Sequence, residues 1–457
     1  MTKLRCDRRN FLRGAMATGS AITAFSGLGR HDQLAHAAQR EESDTFYVFC
    51  YFGGGWDILL GLDPRDPVQF GSANMRQTRI QAGYEFLPGD RNVIRTPFGT
   101  DFGPYIGRLQ NYSDQMAIIR GMSMETVSHG VGRNRFLTGR QPMGNMAAGS
   151  SGATWLAAEW GHKEIIPNLA LNVPTFNVDQ PTYATGFAAN QVDDLLTSLE
   201  PAGGDIEMAQ RTILNRFLNR QSQCEYAKGS PTLQTAEISR QSAREIASGS
   251  LARRFDFSAN TPEMEALRDR FRLSGNNMGM GGGRARGALA AQAITGGVSR
   301  VVSMSVTGGL DTHGGAAWIG SQGPRQQEGF NVIADLADEL ASKEYKETGE
   351  TWLDHTVIVA FSEFSRTPLL NGNMGRDHHI TNACMLLGGG LKPGIYGRAS
   401  DVGLRPQPMN LKTGEIDYEN GVVPKPDHIY QTLFYHAGFQ RDDAELGVGP
   451  IEAVFKS

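Results

Sequence analysis

Three segments far apart in the chain carry clusters of metal-binding residues: Asp311-Thr312-His313, Ser362-Glu363-Phe364-Ser365-Arg366 and Asp377-His378-His379. Asp311 and His313 are two residues apart, so in extended backbone their side chains share a face and can converge on one ion. Asp377 and His378 are adjacent and diverge, unless they serve neighbouring ions or an ion and its substrate. A fourth candidate, Asp57, follows Gly53-Gly54-Gly55-Trp56 and is either a ligand or a turn-stabilising residue. Mixed carboxylate and imidazole donors suit Zn, Mn or Fe better than Ca or Mg. One or two divalent ions are expected, and two held roughly 4 Å apart would clamp the attacking and leaving oxygens of an ester. Glu363 directly follows an apolar run, where a carboxylate needs a partner, and either an ion or Arg366 can supply it. Arg133 and Arg366 can each hold two oxygens of a phosphate or sulfate, or form simple salt bridges. His379 is a substrate contact or a structural histidine. Of ten histidines, two fall in residues 1–38, and four of the other eight (His129, His313, His378 and His379) lie in these motifs.

The elements that must position these residues read as an α/β fold. Phe46 to Phe52, Val301 to Val306 and Val357 to Phe361 are apolar, β-rich runs of the kind buried on both faces of a sheet; the first runs into Gly53-Gly54-Gly55-Trp56-Asp57 and the third into Ser362-Glu363. A strand is expected to continue to Asp311. Further strands are expected near Met116 to Arg120, Asn168 to Val173 and Ala383 to Leu387. Helices are expected near Tyr105 to Tyr112, Val131 to Thr138, Thr154 to Trp160, Ala288 to Ile294, Pro324 to Ala341 and Asp427 to Ala437, the last capped by Asp427. Strands alternating with helices imply a mainly parallel sheet with helices on both faces, and ligands bind such sheets at the carboxyl ends of the strands. Residues 204–287 read as an insertion. It holds three helices up to Arg272 and ends in a Gly/Met-rich break, Ser274 to Gly287, that is either a lid or a surface loop. The glycines of this break do not follow a strand and are not a dinucleotide fingerprint.

Residues 1–38 read as an export address. Asp7-Arg8-Arg9-Asn10-Phe11-Leu12 carries paired arginines, a weakly apolar stretch runs from Gly14 to about Gly29, and Ala35-His36-Ala37 is a small-x-small cleavage site. The stretch is too short and polar to span a bilayer in the mature protein, so a periplasmic or secreted protein, carried by the twin-arginine translocase and without an integral membrane segment, is expected. Removing these residues takes away six Lys/Arg and two Asp/Glu, so 44 basic and 48 acidic residues become 38 and 46, a net charge near −8. No basic run remains that could follow a phosphate backbone, so nucleic acid is not an expected partner. The three remaining cysteines, Cys50, Cys224 and Cys384, form neither a disulfide framework nor a zinc motif.

Gly309-Leu310-Asp311-Thr312-His313, Ser362-Glu363-Phe364-Ser365-Arg366-Thr367 and Gly375-Arg376-Asp377-His378 resemble the signature blocks of the exported bacterial family called domain of unknown function 1501. Gly54-Gly55-Trp56-Asp57, Leu386-Leu387-Gly388-Gly389-Gly390 and Gly394-Ile395-Tyr396-Gly397 fit the same family. The resemblance implies a three-layer α/β/α fold similar to the alkaline phosphatase and sulfatase superfamily. By that analogy Asp57, Asp311, His313, Glu363, Asp377 and His378 would be metal ligands. Arg133-Asn134-Arg135-Phe136-Leu137-Thr138-Gly139-Arg140 is similar to a sulfatase stretch in which the nucleophile lies four residues before the first arginine. Here that position is His129, beside Ser128, and Val131 replaces the usual proline. Formylglycine chemistry is therefore not expected, and the catalytic candidates are Ser128, His129 and Arg133. The function this implies is metal-dependent hydrolysis of a small or polymer-linked phosphate or sulfate ester. The rival is a non-catalytic exported metal-binding protein that binds a surface polymer or a co-exported partner.

Overall fold

A computed structural model describes residues 43–199, 208–246, 251–274, 281–439 and 446–456. The expected export signal lies outside them. Eight strands form one sheet: β1 (Phe46–Phe52), β2 (Met116–Ser123), β3 (Asn168–Leu171), β4 (Phe187–Ala189), β5 (Val301–Thr307), β6 (Thr356–Ser362), β7 (Thr381–Gly388) and β8 (Gly394–Tyr396). Their spatial order is β8-β2-β7-β6-β1-β5-β3-β4. All pairings are parallel except the two made by β7. The fold is thus mixed α/β with a mostly parallel sheet.

Strand β1 shows why the sheet is covered on both sides. Phe46, Val48, Cys50 and Phe52 enter one apolar core, whereas Tyr47, Phe49 and Tyr51 enter another. This alternation is the two-residue period of extended backbone, with both faces apolar. The first core also contains residues of α3 (Gly283–Thr295) and α4 (Gly323–Ala341), among them Leu289, Phe330 and Ile333. The second contains residues of α1 (His129–Thr138), α2 (Gly152–Trp160) and α5 (Pro426–His436), among them Phe136, Leu156 and Tyr430. Apolar surface buried on both faces, worth about 25 cal/mol per Å², stabilises the sheet.

The strand directions set the position of the site. Phe52 pairs with Thr307 on one side and with Ser362 on the other, so β1, β5 and β6 end at the same edge. Strand β2 also ends there, at Ser123 opposite Thr381, the first residue of the antiparallel β7. Five chain segments therefore meet at one edge: those leaving β1, β2, β5 and β6 and the one entering β7.

Several boundaries differ from expectation. Strand β5 stops at Thr307, so Asp311 sits in a loop rather than on a strand. Helix α3 starts at Gly283, five residues before Ala288, because Gly283 lies against β5, where a Cβ would come within 2.0 Å of the Val306 carbonyl oxygen. Lys425, not Asp427, caps α5; Asp427 instead accepts hydrogen bonds from Arg135 and the His428 backbone. The region 208–271 carries helices Met208–Ser222, Glu225–Lys228, Pro231–Ile246 and Pro262–Phe271. The last of these buries Met264, Leu267 and Phe271 in the same core as α3 and α4. Part of the Gly/Met-rich break, 275–280, lies outside the described residues. Cys50 and Cys384 are buried, free thiols.

Candidate metal centre

The loop after β1 prepares the floor of the site. Gly54 and Gly55 have φ of 109° and 82°, and a Cβ on them would lie 2.6 Å from the Leu310 backbone nitrogen and 2.5 Å from the Phe364 ring. Only glycine allows this close approach of three loops. It brings the Gly54 N–H to Glu363 Oε1 at 2.8 Å. It also brings the Gly54 and Gly55 carbonyls to the guanidinium of Arg366. Glu363 and Arg366 are fully buried, and on this base Asp311 is held by Arg366 Nη2 at 2.8 Å.

Three imidazoles surround Asp311. Its Oδ1 lies 2.9 Å from His313 Nε2, 3.2 Å from His378 Nε2 and 3.4 Å from His129 Nε2. The other ring nitrogen of each histidine is tied to an acceptor. His129 Nδ1 lies 2.8 Å from Glu363 Oε1, His313 Nδ1 is 2.7 Å from Asp377 Oδ1, and His378 Nδ1 is 2.7 Å from the Val127 carbonyl oxygen. Carboxylates and carbonyls only accept, so each Nδ1 carries the proton and each neutral ring turns the lone pair of Nε2 inward. The buried Phe364 ring fixes two of these rings, packing 4.7 Å from that of His129 and 4.2 Å from that of His378.

This geometry is electrostatically incomplete. Nε2 lone pairs from three rings converge on an anionic oxygen, and the Nε2 atoms of His313 and His378 are only 3.0 Å apart. His129 Nε2 is buried without a hydrogen-bond partner. Either a proton on one ring or a cation among them removes the repulsion. Asp311, Glu363 and Asp377 against Arg366 leave two negative charges touching the rings, which a divalent ion matches. The ligand atoms of His129, Asp311 and His378 lie within 4.8 Å of one another, a spacing from which one ion can be held. Carboxylate or carbonyl partners on the far nitrogen are the usual outer shell of metal-binding histidines. The donor set therefore fits a transition-metal ion such as Zn, Mn or Fe.

The titration behaviour follows from these contacts. The Glu363 hydrogen bond raises the His129 pKa against the opposing effect of burial. Burial pushes the Glu363 carboxyl up, but hydrogen bonds from His129 and the Gly54 N–H hold it below its ordinary value. Burial likewise opposes ionisation of Asp311, and the hydrogen bond and positive charge of Arg366 outweigh it, so Asp311 stays ionised. Asp377 is lowered by its hydrogen bond from His313.

The structure thus brings together Asp311, His313, Glu363, Asp377, His378, His129 and Arg366. It does not bring Asp57 to them. Asp57 is fully buried, with Oδ1 accepting from the Leu59 N–H at 3.0 Å and Oδ2 from Trp318 Nε1 at 2.9 Å and lying 3.1 Å from Arg376 Nε. Arg376 is equally buried, stacks over Trp318, and donates to the Thr367, Gln81 and Ala82 carbonyls. Asp57 is therefore the anchor of a loop-locking pair. The Arg366 guanidinium is spent on backbone carbonyls and Asp311, which leaves no free edge for a substrate anion. His379 follows His378 on a short ribbon and faces away from the rings. Ser128, on the loop just ahead of α1, is exposed, and its hydroxyl bonds to no imidazole among the described residues. Arg133 lies one helical turn after His129, on the same face of α1, and its buried Nε has no hydrogen-bond partner. Sequence reasoning missed the Val127 carbonyl, Phe364 and Asn371, whose Nδ2 donates to Asp377 at 3.1 Å. Backbone groups and neutral side chains carry no ligand signal in a sequence.

A family model described as "Protein of unknown function (DUF1501)" matches residues 48–416, most of the chain. The chain belongs to this family. No functionally curated protein matches it in sequence. Among solved structures, this DUF1501 protein is distantly similar to Ps i-CgsB in complex with k-i-k-neocarrahexaose, at 11% identity and a TM-score of 0.38. That match covers 89% of this chain and 75% of the other. It is similarly distant from Ps i-CgsB alone, at 10% identity and a TM-score of 0.37, with the same coverage. Likeness at this level carries no argument about activity.

Proposed function

We propose that this DUF1501 protein is an exported metal-dependent hydrolase of phosphate or sulfate esters, of alkaline-phosphatase-like architecture. The observation that carries the reading is the convergence of three lone-pair-bearing imidazoles on Asp311 Oδ1 at the carboxyl edge of a parallel sheet. His129, Asp311 and His378 would hold one divalent ion, with His313 beside them as a further donor. When bound, such an ion supplies Lewis-acid stabilisation of charge on the ester oxygens. Glu363 and Asp377 orient His129 and His313, and Arg366 keeps Asp311 ionised and in place. Arg133 is the cation available to hold the anionic group of the substrate in a planar fork. Among the described residues no helix is long and apolar enough to cross a membrane. Export by the twin-arginine route and a periplasmic or secreted location are part of the same proposal.

The test is metal content by elemental mass spectrometry on the mature protein, beside Asp311→Ala and His378→Ala, with hydrolysis of p-nitrophenyl phosphate and sulfate. The reading expects one or two equivalents of Zn, Mn or Fe in the wild type, lost in both variants together with hydrolysis. A folded, metal-free wild type from metal-replete medium would sink it. A second reading, a non-catalytic metal-binding protein that binds a polymer or partner, is favoured by the exposed Ser128, whose hydroxyl bonds to no imidazole among the described residues. Bound metal without turnover of either ester, across a panel of sulfated and phosphorylated sugars, selects it.

A further inference from the structure

The ribbon that presents His378 to the metal centre has a second face. His378 pairs with Arg366 and His379 with Ser365 in an antiparallel two-residue ladder. Consecutive side chains on such a ribbon point to opposite sides. His379 accordingly lines a cavity of about 620 Å³ on the far side, together with Arg405, Lys425, Ser123, Ile380 and Val423.

The chemistry of this cavity differs from that of the metal centre. Its charged lining residues, Arg405 and Lys425, are both cations, in a chain whose formal net charge is −4. Lys425 is partly offset by Glu125, 2.6 Å away, which also binds Arg135. Arg405 is exposed and has no carboxylate partner among the described residues. The His379 imidazole makes no hydrogen bond to the protein, and its Nδ1 is buried without a partner. Ile380 and Val423 supply apolar wall. An open, partly apolar site lined by two cations focuses positive potential onto a bound group and suits an organic anion better than a bare ion. The volume lies within the range of small-molecule pockets and exceeds what one sulfate needs.

We propose that this cavity is a second ligand site, which binds an organic anion bearing a sulfate or phosphate group, with Arg405 and Lys425 on the anion and Ile380 and Val423 against its carbon frame. The site goes beyond the metal-centre reading and does not depend on it, because its lining lies on the other face of the ribbon.

Isothermal titration of the full mature protein with glucose 6-sulfate, glucose 6-phosphate, glucose and inorganic sulfate tests it, using wild type, the Arg405→Ala/Lys425→Ala double variant and His378→Ala. The expected result is binding of the two sugar esters but not of glucose. Binding should weaken at least tenfold in the double variant, whose metal content and melting temperature stay close to wild type. It should persist in His378→Ala, in which the metal centre is impaired. Unchanged binding in the double variant, loss of binding in His378→Ala alone, or inorganic sulfate binding as tightly as glucose 6-sulfate would each overturn the proposal. A metal-free wild type that still binds glucose 6-sulfate would refute the metal-centre reading and leave this one standing.

Discussion

Glu363 illustrates how one side chain does a different job from the one its position suggests. It follows a buried strand, as a ligand would, yet Oε1 accepts from the Gly54 N–H and from His129 Nδ1, while Oε2 accepts from Ser362 Oγ. In the proposed metal centre it would therefore orient His129 rather than bind the ion. Replacing it with Gln keeps the shape but removes the charge that makes His129 a strong donor. Glu363→Gln is expected to weaken metal affinity about 10–100-fold, the usual cost of losing an outer-shell partner. Competition with a chromophoric chelator measures it, and unchanged affinity would mean that Glu363 does not act through His129. Asp57 is the opposite case, a candidate ligand whose contacts are all structural. Asp57→Asn leaves Arg376 buried beside an amide and is expected to cost about 3–5 kcal/mol in urea unfolding, with metal stoichiometry retained by the folded fraction. Loss of metal from a fully folded variant would restore Asp57 to the ligand set.

At the scale of elements, the site depends on how closely α1 approaches the end of β6. Gly132 packs directly against the Glu363 backbone, and a Cβ there would come within 2.3 Å of the carbonyl oxygen. Backbone cannot move aside as a flexible side chain can. Gly132→Ala is therefore expected to lift α1 from the strand end, destabilise the protein by about 1–3 kcal/mol, and weaken metal binding by displacing His129. Urea unfolding and the same chelator competition report the two effects. A loss of stability without any loss of affinity would show that His129 is not positioned by this contact. The elements were largely legible beforehand: β1 and β6 coincide with continuous apolar runs and α4 with a helical-period apolar face, whereas α1 has no apolar stripe. The direction of β7 was not, because an apolar run such as Ala383 to Leu387 reads the same in parallel and antiparallel pairing.

For the whole molecule, the acid limb of stability carries a signature of His379. Burial lowers its pKa from 6.5 to about 4. Between these values the unfolded chain binds a proton that the folded protein refuses, so stability falls as pH drops from about 6.5 to about 4. In His379→Gln this contribution disappears, and unfolding free energy measured from pH 7 to 4 should be flatter than in the wild type. Parallel curves for the two proteins would show that the folded state protonates His379 normally.

The sequence by itself determined the α/β class, the buried strands and the residue types of the site, because burial and periodicity are written in local composition. It also singled out Asp311, His313, Glu363, Asp377 and His378 as one set, since the first three follow apolar runs and the last two precede the run Ala383 to Leu387. Only the tertiary structure decided which of these touch. Asp311 lies in a loop beyond β5 and still reaches three imidazoles, whereas Asp57 leaves a strand end and is drawn into a pair with Arg376. The reason is geometric: strand ends set a common edge, but ligand convergence depends on loop turns at Gly54 and Gly55 and on which buried arginine claims each carboxylate.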